Sequence, residues 1–172
     1  FSISSLTCPP PLTSSPPEAV PHHVPAGGPA TWLTSLPSLA PEAELNILQL
    51  AWLGDAVWEL HQRLQRCQAP GRPADLHNRV MARVRAGAQA LALNQLRPHL
   101  RPEEMEMVRR GRNRAGRGPR PQEASLYGQA TGFETMVGWL FLQDPRRLAE
   151  LLDHLEETDP LHCVADHEPN PQ

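Results

Sequence analysis

The sequence has no lysine: all 16 of its basic residues are arginine, set against 19 acids, for a formal net charge of −3. It has little cysteine. Cys8, Cys67 and Cys163 are few, odd in number and far apart, which excludes a disulfide framework and fits a reducing compartment. No run approaches the roughly 18 unbroken apolar residues of a membrane span. His22-His23 and the group His162-Cys163 with His167 lack zinc-site spacing. There is no alternating strand pattern of useful length and no internal repeat, so sandwich, barrel and solenoid architectures are set aside.

What is present is unevenly spread. Residues 41–158 hold all 16 arginines and 15 of the 19 acids, so this stretch is slightly basic and the acidity of the chain sits in its ends. Residues 1–40 contain nine Pro, seven Ser and two Gly, with Glu18 as their one charged side chain. Such a segment cannot bury enough apolar surface to offset its ordering entropy. We expect it to be disordered, with a docking patch at Trp32, Leu33, Leu36 and Leu39. It shows neither the basic start and apolar run of a secretory signal nor the arginines of an organelle transit peptide. Residues 158–172, with Pro160, Pro169 and Pro171, are expected to form a second disordered tail.

Between the tails, residues 41–157 read as one all-α domain. Leu45, Leu48, Trp52, Leu53, Ala56, Leu60 and Leu64 recur at spacings of three and four, predicting a helix from Pro41 to Arg66. Pro41, Glu42 and Glu44 suit its start. Pro70-Gly71 and Pro73 break the pattern. A second helical region runs from about Asp75 to Leu96, and a short acidic helix follows Pro102 through Val108. Residues 110–121 read as a loop. Residues 122–142 are helical again, with Tyr127, Ala130, Phe133, Val137, Leu140 and Phe141 on one stripe, and a last helix spans Pro145 to Glu156.

Two acids stand where helix faces are apolar. Asp55 shares a face with Leu48, Ala51, Trp52 and Trp58, and Glu134 shares one with Ala130, Val137, Gly138 and Phe141. An unpaired charge in such surroundings costs several kcal/mol or forces protonation. An arginine could meet each acid, and so could a divalent cation. Gly54 beside Asp55, and Gly132 and Gly138 flanking Glu134, would let two helices approach closely enough to hold a hard ion between oxygen ligands. A third feature is the basic run from Arg109 to Arg120. Arg109, Arg110, Arg112, Arg114, Arg117 and Arg120 put six arginines in twelve residues with no acid among them. Its bland reading is a solvated charge run. Its functional reading is a phosphate-gripping arm, since the guanidinium donates two hydrogen bonds at once. The run has no aromatic for stacking single-stranded bases, which favours duplex backbone.

These residues resemble a known family. The stretch Leu50-Ala51-Trp52-Leu53-Gly54-Asp55-Ala56-Val57-Trp58-Glu59 looks like the signature of the ribonuclease III catalytic domain. Thr131-Gly132-Phe133-Glu134-Thr135-Met136-Val137-Gly138-Trp139-Leu140 resembles its second acidic motif. Ala88-Gln89-Ala90, Val108 to Asn113 and Tyr127 are similar to the short bacterial branch, Mini-ribonuclease III. The 17 residues after Leu155 are too few for a double-stranded-RNA-binding domain, as that branch would have it. The resemblance implies an all-α homodimer that cleaves double-stranded RNA with Mg²⁺, Mn²⁺ being able to substitute. It also implies a cytoplasmic enzyme that trims the ends of large-subunit (23S) ribosomal RNA precursor, with or without a ribosomal protein as helper. Carried over by position, Asp55 and Glu134 are the catalytic, metal-binding acids, and the six arginines are the RNA-binding candidates. Ala51 and Thr131 stand where full-length ribonuclease III has further acids, and Asp75 lies near a third such place, so the metal count stays open. Two other classes remain. One is a ribonuclease III-like ribosome-assembly protein that binds RNA without cutting it; its acids would be expected to be lost. The other is a helix-turn-helix DNA-binding protein, which leaves two acids on apolar faces unexplained.

Overall fold

The computed structural model describes residues 30, 32–33, 45–68, 70–116 and 123–158. Six α-helices account for most of them: α1 (Ile47–Cys67), α2 (Pro73–Val84), α3 (Ala86–Leu96), α4 (Pro102–Arg114), α5 (Ala124–Gln143) and α6 (Pro145–Glu157), with a 3-10 turn at Arg97–His99 between α3 and α4. No strand occurs among the described residues. The domain is all-α, as expected from the periodicity.

Four details differ from the sequence reading, each for a local reason. The first helix begins at Ile47, because Asn46 caps it: its side chain accepts from the Leu48 and Gln49 backbone N–H groups at 3.0 Å, and the Gln49 side chain closes the box on the Asn46 N–H. The region from Asp75 to Leu96 is two helices. Arg85 is extended (φ −66°, ψ 150°) and serves as C-cap of α2 and N-cap of α3. The short acidic helix does not stop at Val108. It runs on to Arg114, so Arg109, Arg110, Arg112 and Arg114 lie on a helix and not in a loop. Gly111 is the reason the helix packs there. A Cβ at Gly111 would strike the Thr135 hydroxyl and come within 2.8 Å of the Thr131 carbonyl.

The fourth difference concerns α1. The face it buries is Leu50, Ala51, Gly54, Val57, Trp58, His61 and Gln62. Most of the stripe that the sequence pattern picks out points outward instead: Leu48, Trp52, Ala56, Leu60 and Leu64, each four residues from the last, are exposed, Trp52 by 80 %, while Leu45 and Leu53 pack partly buried against the core.

At the centre runs α5, apolar nearly all round and packed by α1, α3, α4 and α6. Phe133, Met136, Val137 and Leu140 are buried with Leu93 and Leu96 of α3 and Leu148 and Leu152 of α6. Leu33 and Ala30 are also fully buried against this core, and the Ala30 N–H donates to the Asp153 carboxylate of α6 at 2.7 Å. Leu36 and Leu39, the rest of the expected docking patch, lie outside the described residues.

The contact between α1 and α5 is backbone on backbone. A Cβ at Gly54 would land on the Glu134 carbonyl, and one at Gly138 on the Leu50 carbonyl. Gly132 serves a different neighbour, with its Cβ position 2.7 Å from the Val108 carbonyl of α4. No described helix is long and apolar enough to cross a membrane.

Candidate active site

The Gly54–Gly138 contact decides where the two acids go. Asp55 follows Gly54 on α1, and Glu134 stands one turn before Gly138 on α5, so glycines bring their helices as close as backbones allow. The two carboxylates converge. Between them sits Gln89 of α3, 1 % exposed, whose side-chain N–H donates to Asp55 Oδ1 at 3.3 Å and whose amide also reaches Glu134. Three helices thus each supply one oxygen-bearing side chain to one spot.

The electrostatics mark this spot. Burial pushes the Glu134 carboxyl up, the neighbouring Asp55 charge pushes it further, and the Gln89 amide offsets only part, leaving it at about 7 against an ordinary 4.5. Asp55 is raised as well, first by burial, with the Gln89 hydrogen bond opposing and the Glu59 charge adding to it. Among the described residues no guanidinium or imidazole pairs with either acid.

The two most deeply buried acids of the domain, Glu104 and Glu156, behave in the opposite way. Glu104, 1 % exposed, accepts from Arg147 at 2.8 Å and from the Arg101 backbone N–H at 2.7 Å. Burial raises its carboxyl, but these partners outweigh burial and hold it below the usual range. Glu156 lies within 3.4 Å of His61 and accepts from Gln62 at 3.1 Å, with Arg66 alongside; it too ends below its usual value against the pull of burial. The fold compensates those acids and leaves Asp55 and Glu134 without a cation among the described residues.

The donor set suits a hard divalent ion. Mg²⁺ prefers oxygen ligands, keeps several waters and is held by one or two carboxylates together with substrate phosphates. Asp55 and Glu134 supply two carboxylates in partly buried surroundings, and their raised carboxyl groups mark a place where positive charge is favoured. No cluster of three or more His, Cys, Asp or Glu that could hold a metal occurs among the described residues. The three further positions singled out in the sequence supply no carboxylate to this spot. Ala51 is buried, and the Thr131 hydroxyl is committed to the Tyr127 carbonyl at 3.1 Å. Asp75 is exposed in the first turn of α2.

Four of the six arginines are described, and they do not share one face. On α4 they divide between two faces. Arg109 and Arg112, with Asn113, Met105 and Glu106, line a groove of about 490 Å³ that Arg97 closes from the 3-10 turn. Arg110 and Arg114 lie around the helix from it, Arg110 against the Met107 sulfur at 3.8 Å. Arg109 is already held by Glu106 through two contacts of 2.7 Å, whereas Arg112 and Arg114 are exposed. Arg117 and Arg120 lie outside the described residues. Sequence reasoning missed Gln89 and Arg97 as site residues. The Ala88-Gln89-Ala90 match is the one available signal for Gln89; Arg97 has none.

Three helices of an all-α domain thus bring together two acids that no cation meets among the described residues. The profile of the Ribonuclease III domain matches residues 48–145, and the chain belongs to that family. The chain is similar to Mini-ribonuclease 3 of Synechococcus sp., 48 % identical over 121 residues that cover 70 % of this chain and 83 % of that protein. Mini-ribonuclease 3 of Synechocystis sp. is 47 % identical over 130 residues, covering 74 % of this chain and 91 % of its own. A crystal structure of a Fusobacterium nucleatum protein superposes with a TM-score of 0.60 at 27 % identity, covering 69 % of this chain and 94 % of that one. Membership makes the chain a double-strand-specific endoribonuclease, of a family that is in general divalent-metal dependent.

Proposed function

We propose that Asp55 and Glu134 hold a Mg²⁺ ion, with Mn²⁺ able to replace it, and that the chain hydrolyses phosphodiester bonds of duplex RNA to leave 5′-phosphate and 3′-hydroxyl ends. The observation that carries this reading is the convergence of two acids that no cation meets among the described residues. When bound, the ion would supply the Lewis acidity that activates a water and offsets charge developing on the phosphate. Asp55 and Glu134 would fix the ion from α1 and α5. Ala51 and Thr131 add no carboxylate, so one ion per chain is the count these residues support. A-form RNA hides its base edges, so recognition rests on phosphates and shape. The exposed Arg112 and Arg114 are the first candidates for backbone contact, with Arg97 and Arg109 at the groove wall; Arg110, Arg117 and Arg120 complete the basic surface proposed here.

The active form on this reading is a two-fold homodimer with one centre per strand. The support is the outward stripe of α1. A row of Leu48, Trp52, Ala56, Leu60 and Leu64 at four-residue spacing is more apolar surface than a monomer ordinarily leaves on one helix. The stripe flanks Asp55, so a second copy seated there would set two centres side by side. The substrate is a stem of large-subunit (23S) ribosomal RNA precursor, met in the cytoplasm, where a ribosomal protein is a candidate helper. This part rests on the similarity to the Mini-ribonuclease 3 proteins.

The test is a cleavage assay on a precursor stem with and without Mg²⁺, run beside Asp55→Ala. We expect cutting that needs the ion, and none from the variant, which should still fold and bind RNA. Residual cutting by Asp55→Ala would remove Asp55 from the chemistry.

A further inference from the structure

We propose that Gln89 is a positioning residue for divalent-ion capture, its buried amide holding the Asp55 and Glu134 carboxylates at the separation an ion needs before the ion arrives. The inference rests on the ion-site reading above and adds a residue that neither the acids nor the basic surface includes.

The argument begins with where Gln89 stands. It is 1 % exposed on a helix whose other buried side chains are Ala90, Ala92, Leu93 and Leu96. Burying a side-chain amide without partners is unfavourable, so the amide must be satisfied locally. Its side-chain N–H donates to Asp55 Oδ1 at 3.3 Å, and its other neighbour at the site is Glu134. Two carboxylates brought together by the Gly54–Gly138 contact repel, and without a donor between them they would swing apart or share a proton. A neutral amide is suited to the intermediate task. A lysine or arginine in its place would neutralise the acids and leave the ion no charge to seek. An apolar side chain would leave the acids uncompensated. The contact at 3.3 Å is long for a hydrogen bond to a charged oxygen, so it orients Asp55 without occupying it fully. The backbone that carries Gln89 is firmly set. Arg85 caps the start of α3, its carbonyl accepting from the Gln89 N–H at 3.1 Å, and the Arg83 carbonyl at the end of α2 accepts from the Trp58 indole of α1 at 3.2 Å. The turn between α2 and α3 is thereby tied to the helix that bears Asp55.

The experiment is calorimetric titration of the full chain, free of RNA, with Mn²⁺, comparing the unsubstituted protein with Gln89→Met, which keeps length and packing but removes the amide. Loss of a residue that orients metal ligands typically weakens metal binding about 10- to 100-fold, and that is the loss expected here. Cleavage by Gln89→Met should show a raised half-saturating Mn²⁺ concentration with kcat at saturating Mn²⁺ largely kept, a split that a packing role would not produce. If Gln89→Met fails to fold by circular dichroism, Gln89→Asn, whose amide falls one methylene short of Asp55, takes its place with the same expectation. A folded variant that binds Mn²⁺ within about threefold of the unsubstituted chain overturns the positioning role alone. An unsubstituted chain that binds no Mn²⁺ overturns the ion site and this inference together.

Discussion

Replacing Glu134 by Gln should make the ion-free protein more stable while it removes the activity. Glu134 ordinarily titrates at 4.5 and is held at about 7 in the folded chain, chiefly by burial and then by the Asp55 charge. Each unit between folded and unfolded values is worth about 1.4 kcal/mol, so an ionised Glu134 weakens the fold by about 3 kcal/mol. The sign follows from which state holds the proton more tightly. Because the folded value lies above the unfolded one, stability is full below about pH 4.5, declines as the pH climbs toward 7, and stays low above that. Glutamine has no proton to lose and keeps the hydrogen-bonding shape. In EDTA, denaturant unfolding followed by circular dichroism should therefore show the two proteins alike near pH 4.5 and Glu134→Gln more stable by up to about 3 kcal/mol at pH 8. Saturating Mg²⁺ at pH 8 should narrow that gap by stabilising only the unsubstituted protein. A Glu134→Gln protein that is equally or less stable at pH 8, or a gap that does not change between pH 4.5 and 8, would refute the uncompensated-charge account of the site.

Neutralising Arg112 and Arg114 together should weaken duplex RNA binding across sequences. It should also flatten the slope of log affinity against log salt by about one unit for each phosphate these side chains grip. An unchanged slope in filter binding from about 50 to 200 mM salt would take these two residues out of the interface. Trp52, 80 % exposed on the outward stripe of α1, is the side chain whose loss should most weaken a dimer: Trp52→Ala removes about 1.5–3 kcal/mol of apolar burial per copy. Sedimentation at micromolar concentration should then show monomer, and a dimer as tight as the unsubstituted one would place the partner copy elsewhere.

Much of the fold is legible in the sequence because helix punctuation is local. Pro102, Pro145 and the Pro70-Gly71-Pro73 break sit where helices begin or fail, and the observed α5 and α6 lie within two residues of the expected spans. The misses come where a local signal has a nearer competitor or a distant cause. Pro41 and two acids suggest a helix start, but Asn46 with Gln49 three residues on makes a full capping box. The arginine run suggests a loop, because charge density and glycine are loop signals. Gly111 instead marks where α4 meets Thr131 and Thr135 of α5, a contact 20 and more positions away that no local pattern reveals. The stripe of α1 is apolar and helical as its spacing predicts, yet periodicity says only that a face is apolar. Which of two faces packs against the chain's own core depends on Gly54, Val57 and Trp58 finding α5.

The candidate site is legible for a different reason. Asp55 and Glu134 stand out as charges on apolar faces, and what they do turns on whether arginines meet them. The chain has 16 arginines, enough to neutralise every buried acid. It spends Arg147 on Glu104 and Arg66 on Glu156, both of which stay ionised at ordinary pH. Between Asp55 and Glu134 it places an amide that carries no charge. A protein under pressure for stability alone would have no reason to treat these two acids differently, since a guanidinium in the position of Gln89 would remove the repulsion. The strain at this pair has the sign that a divalent cation would reverse. On the ion-site reading, the imbalance that makes this pair costly to the fold is the free energy available for drawing the ion in.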